Sequence, residues 1–228
     1  SFNAVISIVG PGNYVFNVNS AGASDVDRWN FLAGETHWGT MTGNNQFART
    51  RGTSTNNLGS ISGWGGGSLV LDAQGTARTQ TLDGNIYLFS GDSSVSAGTN
   101  TTFTMGGASP ARSLNRQAGS SLAFLEDGGS INITATGRSV TAGDFLGTWA
   151  TFGSTATGVT DWAGRQGTTG VQAFTGYSTD VFGAGNHTDL TASATLGASD
   201  QAETLRIGVP ATLDVGAGNV LTLNQGGI

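Results

Sequence analysis

The chain contains no cysteine and no lysine among its 228 residues. Without cysteine it can form neither disulfides nor thiolate metal sites. Without lysine it cannot use a Schiff-base nucleophile or the P-loop lysine that binds phosphate. The nine basic residues are all arginines, scattered singly, and the net charge is −6. Because nucleic-acid binding needs a clustered basic face, this pattern argues against nucleic acid and anionic membrane as partners.

Proline and charge are also scarce, with 3 prolines and 11% charged residues. No apolar run approaches the ~20 residues that a membrane-spanning helix needs. Glycine reaches 38 residues but follows no triplet period, which excludes collagen. Hydrophobic residues make up 37% of the chain, more than disordered chains usually carry. The polar surface must come from serine, threonine, asparagine and glycine, which is typical of β-rich proteins with many tight turns.

Short strand patterns follow one another along the chain, and no helical stripe is sustained. The segment SLVLD at 68–72 alternates, which predicts that Leu69 and Leu71 share one face of a strand. Further short strands, each bounded by glycine, aspartate or asparagine, are predicted at 85–90, 101–105, 121–125 and 130–136.

The C-terminal stretch has the most regular spacing. Leu205, Leu213 and Leu221 fall eight residues apart. Each is followed two positions later by another apolar residue, namely Ile207, Val215 and Leu223. Three such steps predict a coil with three short faces and about 24 residues per turn. Looser copies of the step can be traced through Leu88, Val95, Phe103, Leu114, Leu122, Ile131 and Val140.

These patterns predict an all-β fold, a parallel β-solenoid (β-helix). A β-sandwich or jelly roll is the competing all-β interpretation, but the eight-residue spacing favours the solenoid. Residues 1–64 lack the regular spacing and are interpreted as an irregular N-terminal cap. Residues 65–228 are interpreted as the solenoid, with a lateral loop excursion at about 145–190.

From about Gly65 onward, the chain resembles the bacterial autotransporter-associated β-strand repeat proteins. The resemblance rests on the order and the amino-acid sequence of several segments: GGSLVLDAQGT, RSLNRQAGSSLAF, FLGTWATFG, TDWAG, FTGYSTDVFGAGNHTDLTASATL and ETLRIGVPATLDVGAGNVLTL. It implies a passenger-like surface protein with a parallel β-helical fold and no shared catalytic motif. A secreted or cell-surface location is the corresponding expectation.

Large aromatic residues stand out in the glycine- and threonine-rich excursion. Trp149, Trp162 and Tyr177 could pack a small local core, since aromatic side chains bury the most area per residue. They could instead form a flat platform for sugar rings. These three residues are therefore the candidate ligand-binding residues, with packing as the alternative interpretation.

Candidate catalytic and metal-binding residues are few. Glu35 and His37 should share one face of a strand, which suits an acid/base pair or half a metal site, but no second histidine or HExxH pattern accompanies them. His187 is interpreted as a loop histidine. Asp25 and Asp27 could offer two carboxylates to Ca²⁺, which requires six or more oxygens. We therefore expect no catalytic residues, no metal ligand set and no cofactor, with calcium left open.

Three functional hypotheses follow. The leading one is an extracellular structural or adhesive solenoid that assembles with itself into filaments or a surface layer, because a solenoid has two open ends. The alternative is a carbohydrate-binding adhesin that contacts surface polysaccharide. The third is a polysaccharide lyase or hydrolase. It is disfavoured because such enzymes usually cluster acidic and basic residues in a groove, whereas this chain has no lysine and its arginines are dispersed.

Overall fold

The computed structural model describes residues 4–18, 26–41, 61–72, 75–106, 113–134, 144–207 and 210–227. These described residues form 23 β-strands and no helix, so the chain is all-β as predicted. They include no helix of the length and apolarity needed to cross a membrane. The chain divides into two compact units, Ser1–Ala173 and Phe174–Ile228, called here the N-terminal and C-terminal units.

The described residues of the N-terminal unit form sixteen strands. They are β1 (Ala4–Ile8), β2 (Asn13–Val18), β3 (Val26–Phe31), β4 (Glu35–Met41), β5 (Ile61–Trp64), β6 (Ser68–Leu71), β7 (Arg78–Leu82), β8 (Ile86–Leu88), β9 (Gly91–Gly98), β10 (Thr101–Met105), β11 (Leu114–Arg116), β12 (Ser120–Asp127), β13 (Ser130–Ile133), β14 (Ala150–Ser154), β15 (Gly158–Gln166) and β16 (Gly170–Ala173).

These described strands form two sheets. The first has five parallel strands in the order β1-β3-β5-β8-β11. The second has eleven strands in the order β2-β4-β6-β9-β12-β14-β15-β16-β13-β10-β7. Within it, the run from β2 to β14 and the run β13-β10-β7 are parallel, and the antiparallel strands β15 and β16 join them. The sheets are therefore mostly parallel.

Parallel neighbours come from separate passes of the chain. Ala4 lies beside Val26, 22 positions later, and Arg28 lies beside Ile61, 33 positions later. The other parallel pairs in this unit lie 22 to 33 positions apart. Successive strands alternate among three parallel rows. β8 lies in the five-stranded sheet, β9 in the β2-to-β14 run and β10 in the β13-to-β7 run. β11, β12 and β13 lie in the same three rows in the same order.

The predicted apolar steps occupy these strands. Those at 88, 95, 103, 114, 122 and 131 lie in β8 to β13 in turn, and Val140 lies outside the described residues. Leu69 and Leu71 are fully buried, which confirms their predicted shared inner face. Phe31 and Trp64 extend the core with ring centroids 4.6 Å apart. Full burial of one such side chain stabilises the fold by about 1.5–3 kcal/mol.

Glycine is required where neighbouring passes turn close together. Gly34, just before β4, has a φ of 69°, in the left-handed region that favours glycine. A Cβ at this position would lie 2.6 Å from the carbonyl oxygens of both Gly10 and Gly12. The tight corner between β3 and β4 therefore depends on the absence of a side chain.

The described strands of residues 1–64, predicted as an irregular cap, join the same two sheets as later strands. β1, β3 and β5 extend the five-stranded sheet, and β2 and β4 extend the eleven-stranded sheet. Their inward residues include Trp29 and Ile8, both buried. In the described residues the parallel arrangement therefore continues across position 64.

In the C-terminal unit, the residues that the structure describes form seven short strands: β17 (Tyr177–Thr179), β18 (His187–Leu190), β19 (Ala194–Thr195), β20 (Asp200–Ala202), β21 (Thr204–Ile207), β22 (Leu213–Asp214) and β23 (Leu221–Leu223). They form three parallel sheets, β17-β18-β21, β19-β22 and β20-β23. Leu205, Leu213 and Leu221 each lie in a different sheet. Leu205 is buried, whereas Ile207, two positions later, is 41% exposed.

Candidate functional site on the outer face of the eleven-stranded sheet

The outer face of the eleven-stranded sheet carries a row of small, mostly polar side chains. Burial alternates over the first five residues of β9 and the first six of β12, so Ser94 and Ser121 face outward, whereas Ser93, Ser96 and Ser120 are buried. Ser94 lies beside Ala123, and Ala123 lies beside Thr151 on β14. Ser94 also lies beside Ser68, whose neighbour on β4 is Glu35. One outward row therefore crosses five parallel strands.

A groove of about 500 Å³ lies on this face. Its floor includes outward residues of β9, β12 and β14, and its wall is the turn between β14 and β15. We call it the hairpin groove and define it by Asp92, Ser93, Ser94, Ser121, Ala123, Leu125, Thr151, Ser154, Thr155, Gly158 and Val159. Its volume falls in the range of ~300–1,000 Å³ that is usual for small-molecule sites.

Hydroxyl and carboxylate groups of the floor are hydrogen-bonded across strands. The hydroxyl of Ser121 donates to Oδ1 of Asp92 at 2.6 Å. The hydroxyl of Ser94 donates to the hydroxyl oxygen of Ser68 at 2.7 Å. Cross-strand pairs of this kind stabilise a sheet and fix the orientation of each side chain. The polar floor of the groove is therefore held in place before any ligand arrives.

The wall of the groove is fastened to β12 by Asp127. Its Oδ1 accepts the backbone N–H of Thr155 at 2.8 Å, and its Oδ2 accepts the hydroxyl of Ser96 at 2.7 Å. Burial by itself raises the pKa of Asp127, but the hydrogen bonds from Ser96 and Thr155 outweigh it and lower the pKa below its ordinary value. The carboxylate form is thus the one that holds the turn.

The pKa of the neighbouring Glu126 shifts in the opposite direction. It is half-buried, and its Oε1 accepts the backbone N–H of Ile131 at 2.8 Å. Burial raises the pKa of Glu126, and this hydrogen bond only partly opposes the rise. Protonation of these two adjacent carboxylates at the end of β12 should therefore change the stability of the fold in opposite directions.

Glu35 and His37 lie on the same face of β4, as the sequence predicts. His37 Nε2 contacts Glu35 Oε1, and Thr36 between them is buried. The two side chains are about 40% exposed. No group of three histidine, cysteine or acidic residues that could hold a metal ion occurs within the described part of the chain. Asp25, one of the two candidate calcium ligands, lies outside the described residues, as does the side chain of Asp27.

Trp149, a candidate ligand-binding residue, lies in the core with 1% exposure. Its ring meets the ring of Phe124 edge-on, with centroids 6.3 Å apart. Its Nε1–H donates to the carbonyl oxygen of Leu146 at 2.9 Å. Such a ring has no free face on which a sugar could stack.

Trp162, the second candidate, lies on β15 beside Thr151 of β14. It is half-buried, and the ring of Phe145 meets it edge-on with centroids 6.2 Å apart. Because directly paired residues of antiparallel strands point to the same side of a sheet, Trp162 lies on the face that carries the hairpin groove. It is the candidate aromatic residue next to that groove.

Tyr177, the third candidate, belongs to the C-terminal unit. The guanidinium of Arg206 lies 4.0 Å from the centre of its ring, and the ring of Phe174 meets it edge-on at 4.9 Å. Arg206 also donates to both carboxylate oxygens of Asp189, at 3.0 and 2.5 Å. One face of the Tyr177 ring is therefore covered by a cation that is itself fixed by a carboxylate.

His187 is placed in a strand, β18, rather than in the predicted loop. Its Nδ1 lies 3.0 Å from the hydroxyl of Thr204, and the ring of Phe174 lies 4.9 Å away. Burial lowers the pKa of His187, and the charge of Glu203 opposes this effect. A neutral, hydrogen-bonded ring between neighbouring strands is a packing arrangement.

Arg165, which the sequence did not single out, is 1% exposed in the N-terminal unit. Its Nη1 donates to the carbonyl oxygens of Ile133 and Thr169. Burial lowers the pKa of Arg165, and the charge of Asp144 opposes this effect. The guanidinium thus donates hydrogen bonds to backbone carbonyl oxygens where β13 meets β16. No local sequence pattern predicts this role.

No protein-family model, curated protein or solved structure matches this chain. The described residues present two features that bear on function: the hydroxyl-lined hairpin groove and the open strand edges.

Proposed function

We propose that this protein is an extracellular structural β-solenoid that assembles end to end into filaments or a surface layer. The observation that carries the proposal is the repeated parallel register, in which strands from successive passes of the chain lie side by side. A solenoid builds its core by stacking each turn on the last, and the same stacking can join one subunit to the next.

The order of the strands supports a three-faced coil. From β8 to β13 the chain visits three parallel rows in rotation, twice. In the C-terminal unit, β21, β22 and β23 likewise lie in three different sheets. Each strand contributes one or two inward apolar residues, such as Leu88, Val95 and Phe103, which suits faces only a few residues long.

Open strand edges support end-to-end contact. Among the described residues, β1 and β2 each pair on one edge only, with β3 and β4. An unpaired parallel edge presents N–H and C=O groups that another strand can bind. Val5 and Val15 on these two strands are more than half exposed, so apolar side chains accompany the free edges.

The spacing of the edge strands fits those of the C-terminal unit. The inward residues Ile6 and Tyr14 of β1 and β2 are eight positions apart, as are Leu205 and Leu213 of β21 and β22. Within the described chain, β22 and β23 pair on one edge only, whereas the second edge of β21 is contacted by Gly227, whose carbonyl oxygen accepts the N–H of Leu205 at 3.2 Å. The equal step lets β1 and β2 of one copy follow the spacing of this last pass in another, with β22 offering an open strand edge for the head-to-tail contact.

Ser7 offers a sharp test of this contact. The carbonyl oxygen of Ile8 accepts the N–H of Leu32 at 2.9 Å, so Ile8 faces β3. Because successive residues of a strand direct their backbone groups to opposite edges, the N–H of Ser7 faces the open edge. Ser7→Pro would remove that donor without removing a donor from the β1–β3 pairing.

The experiment is negative-stain electron microscopy together with sedimentation velocity across a concentration series. We expect filaments or a defined polymer from the wild-type chain and shorter or no polymers from Ser7→Pro. Ser7→Ala is the matched control, because both variants lose the hydroxyl that accepts a hydrogen bond from Asn30 but only proline loses the N–H. A monomer at every concentration would overturn the proposal.

A further inference from the structure

We propose that the hairpin groove is a binding site for a neutral oligosaccharide. The proposal is independent of end-to-end assembly, because the groove lies on the outer face of the sheet rather than at a strand edge. It also differs from an aromatic platform, since its floor is built from hydroxyl, carboxylate and small apolar side chains.

Two polar atoms in the groove have unused hydrogen-bonding capacity. Oδ1 of Asp92 accepts from Ser121, while its Oδ2 has no hydrogen-bond partner in the described part of the chain. The hydroxyl of Thr151 likewise has no partner there. A carboxylate oxygen accepts and a hydroxyl both donates and accepts, which is the combination that sugar hydroxyls can satisfy.

The floor changes from polar to apolar along the strands. Asp92 and Ser121 lie beside each other at one end of the groove. Four positions further along β12, Leu125 lines the other end, and Val159 of the wall is 51% exposed. A sugar ring presents hydroxyls at its edge and C–H groups on its faces, so one ligand could satisfy both ends.

The charge of the lining restricts the class of sugar. Asp92 is the ionisable residue that lines the groove, and no arginine does so in the described chain. An anionic sugar such as a uronic acid would meet a carboxylate with no cation to offset the repulsion. A single carboxylate also falls short of the six or more oxygens that a calcium-bridged ligand would need. The neutral class is the one that fits.

The groove is organised in advance of binding. Asp127 holds the turn of the wall through Thr155, and Ser121 and Ser94 are fixed by cross-strand hydrogen bonds. In the same turn, the hydroxyls of Ser154 and Thr157 lie 2.8 Å apart. Binding to fixed groups loses less conformational entropy than binding to mobile ones, so modest contacts can give measurable affinity.

The test uses the full chain and a panel of neutral gluco-, manno-, galacto- and xylo-oligosaccharides of two to six residues, with matched uronic-acid oligosaccharides. Isothermal titration calorimetry gives the affinity, and tryptophan fluorescence gives a second readout because Trp162 lies next to Thr151. We expect saturable binding of at least one neutral oligosaccharide and none of its uronic-acid counterpart.

Two groove variants and one control complete the experiment. Thr151→Val and Asp92→Asn should each weaken binding about tenfold, the change that ~1.4 kcal/mol produces. Thr195→Val, an exposed threonine of the C-terminal unit, should bind like the wild-type chain. Far-UV circular dichroism confirms that each variant is folded. Absence of binding across the panel, or wild-type affinity in both Thr151→Val and Asp92→Asn, would overturn the proposal.

A blocking variant separates this site from any other. Ala123 is small and lies in the middle of the groove floor, between Ser94 and Thr151. Ala123→Phe would fill the groove from an outward position without entering the core, and it should abolish binding. Unchanged affinity in Ala123→Phe would show that the sugar binds elsewhere and would contradict the assignment.

Discussion

The carboxylate of Asp127 accepts the backbone N–H of Thr155 at 2.8 Å, and this contact fastens the turn between β14 and β15 to the end of β12. The same carboxylate accepts the hydroxyl of Ser96 on β9. One side chain thus joins three segments that are distant in sequence. It stabilises the wall of the hairpin groove without lining the groove itself.

Removing this contact should loosen the turn. Hydrogen bonds to a charged group contribute ~1.5–3 kcal/mol, and solvent exposure of Asp127 reduces that figure. We therefore expect Asp127→Ala to lower the free energy of unfolding by about 1–2 kcal/mol in urea denaturation. Amide exchange should accelerate selectively at Thr155 and its neighbours. Ser96→Ala removes only one of the two side-chain contacts and should have a smaller effect; an equal effect would contradict the role of Thr155.

Lowering the pH should change the contributions of Glu126 and Asp127 to the stability of the fold in opposite directions. The pKa of Glu126 is raised in the fold above its ordinary 4.5, so protonation stabilises the folded state, and this contribution is lost as pH rises through the folded pKa. The pKa of Asp127 is lowered below its ordinary 3.8, so its contribution is present above that value and is lost as pH falls through the folded pKa.

Single substitutions separate the two effects. Glu126→Gln keeps an acceptor for Ile131 but carries no charge, so its stability relative to the wild type should increase as pH rises from about 4.5 to 7. Asp127→Asn should instead reduce the loss of stability below pH 3.8. Urea denaturation of the three proteins between pH 3 and 7 measures both. Parallel pH profiles for Glu126→Gln and the wild type would contradict burial as the cause.

The apolar spacing of the sequence predicted much of the fold. Leu88, Val95 and Phe103 occupy three successive strands in three parallel rows, because seven or eight residues suffice for a short strand and a corner. The alternation in SLVLD correctly predicted the inner face of β6. These signals are local: side chains of one strand alternate between core and solvent whatever the rest of the chain does.

Other features depend on contacts that no local pattern encodes. The spacing between paired strands grows to 33 positions at Arg28 and Ile61, since an insertion between strands changes the pairing distance without changing either strand. The hairpin groove requires Asp92, Thr151 and Val159 to converge from three strands. Small residues at outward positions of β9 and β12, such as Ser94 and Ala123, are equally typical of an ordinary solvated face, so they do not predict a groove.

The two tryptophans of the 145–164 stretch should differ in their contribution to stability. Trp149 is buried against Phe124, and replacement of a buried tryptophan by alanine costs ~3–5 kcal/mol. Trp162 is half-buried, so Trp162→Ala should cost less, about 1–2 kcal/mol. Urea denaturation followed by circular dichroism compares them. Equal losses would contradict the different placements of the two rings.

Arg206 in the C-terminal unit should resist conservative replacement. Its planar guanidinium lies over the ring of Tyr177 and donates to both carboxylate oxygens of Asp189. Lysine cannot provide the paired donors and the flat contact together, because its ammonium is a compact, strongly hydrated charge. Arg206→Lys should therefore lower the free energy of unfolding by about 1 kcal/mol, the scale of an exposed cation–π contact.

Salt distinguishes the two contacts of Arg206. Added salt weakens partly exposed ion pairs by screening, so the ion pair with Asp189 should lose strength between 0.05 and 0.5 M NaCl. Thermal melts of wild type, Arg206→Lys and Asp189→Asn at both concentrations measure this. Asp189→Asn removes the charge but leaves the guanidinium over Tyr177, so it should show the smallest dependence on salt. Equal stability of Arg206→Lys and the wild type at low salt would show that the paired hydrogen bonds from the guanidinium to Asp189 add nothing to the free energy of unfolding.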